Sequence, residues 1–307
     1  MIYLCNTEQR DVIDISNNLN EIYLRHIEKE TSCLSRETID FMGINFDLST
    51  KSFSMKTYYM PSDDFENTAT KVHNAVIEYA IQKGICRFVW DVRDETSVRN
   101  YFAVVHRCRE NMVKLFRETA RAYPFITKYK DEIVKLSQYD IRSTFSTPNV
   151  SPAYILGFKD RSGDSVVNIE WVTRKCPDPD DIGYEYYYDD SYFLNFIKST
   201  QIDELVRLSD KIAGLIKCSK ADIHLWFFAA DYAKETVKYK IYVKGEGCKR
   251  LLMSDLLVDL LDVQVDEAST KYAKEFCDTH SELYLHGFAL CLDISNHWSI
   301  NCYYKIT

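Results

Sequence analysis

The chain has no apolar run long enough to cross a membrane, and its start, Met1-Ile2-Tyr3-Leu4-Cys5, lacks the basic residues and long apolar core of a secretory signal. These two absences lead to the expectation of a cytosolic protein with no membrane partner. Positive charge is also in short supply: 38 lysines and arginines face 46 acidic residues, giving a net charge of −8. A general nucleic-acid binder is excluded on that ground, and any anion site must be a local basic pocket in an acidic protein. A small anionic ligand suits such a pocket better than a polymer. Close-spaced cysteine pairs are missing as well. The ten cysteines lie scattered at positions 5, 33, 86, 108, 176, 218, 248, 277, 291 and 302. That spacing argues against zinc and dithiol redox chemistry, and the thiols read as reduced and mostly buried.

What the chain does have is tyrosine, 22 of them, a residue that tolerates burial when its hydroxyl finds a partner. It also has strict alternation over Val237-Lys238-Tyr239-Lys240-Ile241-Tyr242-Val243, which sets Lys238, Lys240 and Tyr242 on one strand face and Tyr239, Ile241 and Val243 on the other. Lysines two apart on an inward face repel each other and need an anion to offset them; on an outward face water suffices.

Similar strands recur. Residues 8–37 show helical spacing, and strands follow at Thr38–Leu48 and Phe53–Met60. Thr68–Lys83 is helical with Gly84 as its C-cap, followed by a hairpin over Ile85–Val92 and Val98–His106. Arg109–Leu136 is helical in two pieces broken at Pro124, and 143–152 is a loop. A third hairpin covers Tyr154–Lys159 and Ser165–Arg174. An acidic, tyrosine-rich excursion spans Cys176–Asp190, and helix resumes over Ser191–Lys217. The fourth hairpin is Asp222–Phe228 and Thr236–Val243. Helices over Leu251–Asp262 and Ala268–Asp278 lead to the last, Leu283–Leu292 and Trp298–Ile306. The acids Asp47, Asp94, Asp160, Asp231 and Asp293 mark the turns, and Gly43, Gly157 and Gly287 sit in three of the first strands.

The order helix, strand, turn, strand, helix thus repeats five times. Hairpins cannot form a parallel sheet, and ten antiparallel strands can close and abolish their edges. The expected fold class is α+β: a ten-stranded antiparallel β-barrel of five αββα repeats surrounded by helices, one domain over 1–307. Apolar strand residues should face the helices, and polar ones a lumen.

On this repeat order the chain resembles the ABBA-type aromatic prenyltransferases, the PT-barrel superfamily. The closing stretch Trp298-Ser-Ile-Asn-Cys-Tyr303-Tyr304-Lys-Ile-Thr307 looks like that of the bacterial phenol branch, and Lys238, Lys240 and Tyr242 resemble the strands that hold diphosphate in the indole branch. The modest length is similar to that of the phenol and peptide-modifying branches. The resemblance implies transfer of a dimethylallyl or geranyl group from an allylic diphosphate to an aromatic acceptor, either an indole or phenol or a tyrosine or tryptophan of a peptide. Such a site must neutralise a diphosphate and shield a carbocation without offering it a nucleophile. By strand parity Lys56, Arg99, Lys238 and Lys240, with Arg174 near a strand end, are the diphosphate candidates. Tyr58, Tyr101, Tyr242, Tyr303, Trp226 and Phe228 are the candidates for the aromatic wall. Glu170, His224 and Asp40 are available to take the acceptor's proton.

Two departures from the family pattern stand out. Ser299 occupies a position in the closing strand where the family often has a basic residue. The strand that could carry a magnesium-holding aspartate offers Ser52, Ser54 and Lys56 instead. Magnesium is therefore admitted but not required. Asp178, Asp180 and Asp181 read as solvated surface, and His286 as an interior histidine. A non-catalytic barrel binding an apolar or anionic small ligand is the alternative reading. No nucleic acid is expected, and the chain is expected to be a monomer or homodimer.

Overall fold

The structure, a computed structural model, describes residues 3–6, 12–14, 39–48, 50, 52–60, 63, 74–94, 97–104, 109–142, 154–160, 164–172, 174–175, 186–187, 190–218, 223–251, 255–256, 260, 263–265, 271, 275 and 283–306. Its strands in chain order are β1 (Tyr3–Asn6), β2 (Val12–Asp14), β3 (Ile39–Asp47), β4 (Ser52–Tyr59), β5 (Cys86–Asp94), β6 (Val98–Val104), β7 (Tyr154–Lys159) and β8 (Val166–Val172). After these come β9 (Arg174–Lys175), β10 (Tyr186–Tyr187), β11 (His224–Tyr232), β12 (Val237–Lys244), β13 (Val263–Val265), β14 (Leu283–Asp293) and β15 (Trp298–Ile306).

Ten of these strands close into an antiparallel barrel in the order β11-β12-β14-β15-β3-β4-β5-β6-β7-β8. The five expected hairpins supply them, and β15 against β3 completes the ring, with Ile300 opposite Phe46 and Cys302 opposite Ile44. Alternation decides what faces where. On β12, Val237, Tyr239, Ile241 and Val243 join the core between barrel and helices, whereas Lys240, Tyr242 and Lys244 line an interior cavity. The outer core is continuous and apolar, and its polar atoms are paired with the helical layer. Trp171 donates from Nε1 to Ser137 Oγ at 3.1 Å, and the Tyr232 hydroxyl donates to Glu132 at 2.9 Å. Burying these large rings drives the packing.

Pro124 breaks the long helix as its missing N–H requires: Arg109–Ala122 and Lys130–Arg142 flank a 3-10 turn at Pro124–Tyr129. The expected 191–217 helix is two helices, Asp190–Ser199 and Asp203–Cys218, parted at Gln201, whose φ is 56°. Two expectations fall partly outside the described residues, the helix over 8–37 and the helices over 251–262 and 268–278. So do the 143–152 loop and Asp178, Asp180 and Asp181. Where 8–37 is described, Val12–Asp14 is strand instead of helix: it pairs with β1, which pairs with β13. Strand pairing by the β-branched Val12 and Ile13 overrides the helical spacing.

One irregularity repeats. In β3, β5, β11 and β14, the first strand of four of the five hairpins, the register slips by one residue near the strand start. Asp40, Trp226 and His286 are the extra residues in β3, β11 and β14, lying between the paired Ile39/Phe41, Leu225/Phe227 and Leu285/Gly287. Each such bulge breaks alternation and re-aims side chains at the barrel end opposite the hairpin turns.

Candidate active site in the barrel lumen

The cavity holds about 410 Å³, within the range that takes a small ligand. Six basic side chains line it, Lys56, Arg99, Lys159, Lys240, Lys244 and Lys305, against the acids Asp40, Asp94 and Glu170. Three levels can be distinguished along its axis.

Towards the hairpin turns lies a basic cluster organised on a carboxylate. Asp231 accepts from Lys240 Nζ at 2.8 Å, from Arg99 Nη1 at 3.3 Å and from Asn168 Nδ2 at 2.7 Å. Burial disfavours its charge, but Lys240, Arg99 and the hydrogen bonds outweigh that and hold its carboxyl well below the ordinary range. Lys159 pairs with Asp94 at 3.0 Å. Lys56 faces the same space. Burial first, then Arg99, Lys240 and Lys238, push its pKa down to about 7. Glu170 is buried beside the cluster, and desolvation drives it up to about 8 against the pull of Lys240. At neutral pH Glu170 is therefore chiefly a hydrogen-bond donor. The cluster keeps surplus positive charge for an anion.

Next comes an aromatic belt of Tyr58, Tyr101, Tyr242 and Tyr303. Tyr242 stacks on Phe227 with centroids 3.8 Å apart and on Tyr303 at 5.7 Å, while Tyr58 meets Tyr303 edge-on at 5.4 Å. Tyr101 stacks on Trp90 at 5.6 Å and its hydroxyl accepts from Arg99 at 3.1 Å. Burial raises the pKa of all four phenols, so they stay neutral. Two glycines make the belt fit. A Cβ at Gly157 would lie 2.4 Å from the Tyr101 ring, and one at Gly43 would lie 2.8 Å from the Tyr58 ring. The rings lie on bare backbone, which is the packing role of two of the glycines noted in the sequence.

At the far end the bulges gather Asp40, Phe41, Trp226, Phe227 and His286 around Lys244 and Lys305. Lys244 Nζ sits 4.7 Å over the Trp226 ring and Lys305 Nζ 5.8 Å over Phe41. The Asp40 carboxyl is raised by burial, with Lys305 and Lys244 acting against the rise.

No family model and no curated protein sequence matches the chain. Solved structures do. AnaPT from Neosartorya fischeri superposes with a TM-score of 0.53 over 90% of this chain and 80% of its own, at 8% sequence identity. This is the ABBA prenyltransferase fold. At that identity the likeness carries the barrel and not its chemistry.

The ABBA lumen brings together most of the residues singled out from the sequence. Lys56, Arg99, Lys240, Glu170, Asp40, Trp226 and the four tyrosines all line the cavity. Phe228 is a correction. The bulge at Trp226 hands the inward position to Phe227 and turns Phe228 outward, where it stacks on Trp171 at 5.0 Å. His224 is another: it lies 3.6 Å from Asp190 at a helix start and is not part of the cavity wall. Lys238 follows the inward parity but sits beyond the lining, opposite Asp231 and Asp293 in the ladder. Arg174 belongs to the β9–β10 ribbon outside the barrel, and its side chain is not among those described. Sequence reasoning missed Asp231, taken for a turn marker, because β11 runs to Tyr232. It also missed Lys159, Lys244, Lys305, Phe41 and Phe227. The parity of Lys244 with Lys240 was the available signal; the bulges had none.

Proposed function

We propose that this barrel transfers a prenyl group from an allylic diphosphate to an aromatic acceptor. The observation that carries the reading is the stacking of levels: the Lys56, Arg99 and Lys240 cluster beside a belt of four neutral phenol rings. In this reaction the allylic C–O bond breaks, and its electron pair leaves with the diphosphate. The cluster takes up that developing charge, which is the electrostatic term that lowers such barriers most. Tyr58, Tyr101, Tyr242 and Tyr303 face the cation with ring quadrupoles worth about 1–2 kcal/mol each when desolvated. An acceptor atom forms the new bond, and its proton goes to the Asp40 carboxylate, or to Glu170 where the pH is high enough to ionise it. The dimethylallyl or geranyl donor and the indole, phenol or peptide acceptor stay as open members of this class.

Among the described residues no group of three or more His, Cys, Asp or Glu side chains is placed to hold a metal. Among the described residues no helix is long and apolar enough to cross a membrane.

Asp231 favours a second reading, a non-catalytic barrel, because it already engages Arg99 and Lys240. Calorimetric titration with dimethylallyl thiolodiphosphate, with and without magnesium, followed by turnover with indoles, phenols and peptides, separates the two. Prenylated product supports transfer, whereas saturable binding without product across the panel supports the carrier.

A further inference from the structure

We propose that Asn301 and Asn45 hold the aromatic acceptor by a hydrogen-bond donor on its ring, an O–H or an N–H, and that the new bond is consequently made to a ring carbon. The inference deepens the prenyl-transfer reading and rests on it. Its basis is a pair of buried carboxamide oxygens with nothing to accept. Asn301 on β15 stands directly opposite Asn45 on β3, which puts their Cβ atoms about 5 Å apart on one face of the sheet. That face is the inner one: Asn301 lines the cavity with Tyr303, and Asn45 keeps step along β3 with the cavity residue Phe41. The Oδ1 atoms of both side chains are buried without a hydrogen-bond partner, as is the hydroxyl of Ser299, one inward position away on β15. Asn301 is 8% exposed and Ser299 1%. A buried acceptor left unmet is costly, and two side by side on a cavity wall mark a place where a ligand supplies the donor.

The carboxamide of Asn301 cannot turn over to satisfy itself. Its Nδ2 donates to Cys291 Sγ at 3.4 Å, and the Cys291 thiol gives its own proton to the Ala289 carbonyl at 3.8 Å. The sulfur accepts and has no proton to return, so the oxygen is the end left over. Both asparagines lie one inward step nearer the hairpin turns than Tyr303 and Gly43, the glycine beneath the Tyr58 ring. They sit where the cationic cluster meets the belt, the level at which a donor anchored on Lys56, Arg99 and Lys240 breaks its C–O bond. Carbonyl oxygens repel a diphosphate and the nearby cations repel an ammonium, which leaves a neutral O–H or N–H as the group that fits.

A carboxamide oxygen accepts a hydrogen bond but is not a base. The O–H or N–H held there keeps its proton, so that heteroatom has no route to neutrality after attack. A ring carbon attacks instead with a π pair, while the pair of the allylic C–O bond leaves with the diphosphate. The proton on that carbon then goes to the Asp40 or Glu170 carboxylate, which restores the ring.

The test pairs each donor-bearing ring with an isostere lacking the donor: 1-naphthol with 1-fluoronaphthalene, and indole with benzothiophene. Affinity is measured by calorimetry on the free protein and on protein saturated with dimethylallyl thiolodiphosphate, and products formed from dimethylallyl diphosphate are assigned by NMR. In at least one pair the donor-bearing ring is expected to bind at least about tenfold tighter, and the native product should carry the prenyl group on carbon. In N301L/N45L that preference should vanish while Tm and thiolodiphosphate affinity are kept, because leucine is close in volume and removes only unmet polar atoms; N301L alone gives the same reading should the double variant not fold. Equal affinity within both pairs, failure of all four to bind included, or a preference that survives the substitution overturns the inference, and the oxygens then hold water. A product bonded through oxygen or nitrogen overturns it too, as does lost thiolodiphosphate affinity in the folded variant, since the asparagines then serve the donor. Prenyl transfer survives each of these results. No product with any acceptor removes prenyl transfer, and the isostere comparison on free protein still decides what the asparagines hold.

Discussion

Replacing Gly157 by alanine tests whether the aromatic belt is set by bare backbone beneath it. The new Cβ would lie 2.4, 2.7 and 2.9 Å from three atoms of the Tyr101 ring. Carbon atoms rest at about 3.5–4.0 Å, so the ring must retreat by about 1 Å. It has little freedom to do so, being stacked on Trp90 and bonded through its hydroxyl to Arg99. Overpacking of this kind costs about 1–3 kcal/mol. The open cavity on the other side of the ring lets it yield, which points to the lower half, about 1–2 kcal/mol. For a chain of this size that lowers Tm by roughly 2–8 °C. The assay is thermal unfolding of G157A, Y101A and G157A/Y101A, with thiolodiphosphate affinity measured in each. Without the ring, alanine at 157 should cost nothing or stabilise, giving a coupling of at least about 1 kcal/mol. The reasoning is refuted if G157A unfolds with the native protein, or if its cost is the same with and without the Tyr101 ring.

Gly287→Ala should behave differently: its Cβ meets the Val243 carbonyl oxygen at 2.6 Å, so backbone must move, and the loss should appear in folding yield and Tm before ligand affinity. Asp231→Asn leaves Arg99 and Lys240 buried without their anion and should cost about 3–5 kcal/mol; inorganic diphosphate should then raise Tm more than it does in the native protein, and an equal rise in both contradicts the shared-anion picture. Lys240→Ala keeps the fold, because Arg99 and Asn168 still hold Asp231, and should weaken thiolodiphosphate binding by about ten- to a hundredfold, read by calorimetry. Affinity for the same analogue should fall as pH rises from 6 to 9. Lys56 loses its positive charge above about 7 and Glu170 gains a negative one above about 8, so both steps disfavour an anion; E170Q should remove only the upper step, and a flat profile counts against both assignments.

The barrel was legible because its signal is periodic. Five hairpins separated by helical stretches leave few topologies, and alternation on β12 already divides Tyr239 and Ile241 from Lys240 and Tyr242. The candidate site was legible wherever alternation ran unbroken, as at Lys56 and Tyr58, at Arg99 and Tyr101, and at Tyr303. It failed at Phe228 because a bulge adds one residue without any mark in composition, and every side chain beyond it changes face. Asp231 failed for another reason. An acid near a hairpin turn is ordinary, and only the ladder pairing to Lys238 and Asn168 reveals that it points into a cluster of cations. His224 had correct residue chemistry in the wrong surroundings, since the Asp190 that engages it belongs to a neighbouring helix.

The four register slips also bear on how such a barrel could change its specificity. They all lie at one end of the ring, in the first strands of their hairpins, while the pairing around Lys240, Asp231 and Arg99, from Phe227 to Tyr232 on β11 and from Arg99 to Val104 on β6, runs without a slip. Gaining or losing one residue at a slip exchanges which of two neighbours looks inward there and leaves the opposite end in register. The bulged end can therefore be rewritten by single-residue insertions and deletions, a kind of change that ruins most strands, whereas the end with the Lys240, Arg99 and Asp231 cluster admits only replacement of one side chain by another. Descendants of one such barrel should differ by length at the first end and by letter at the second.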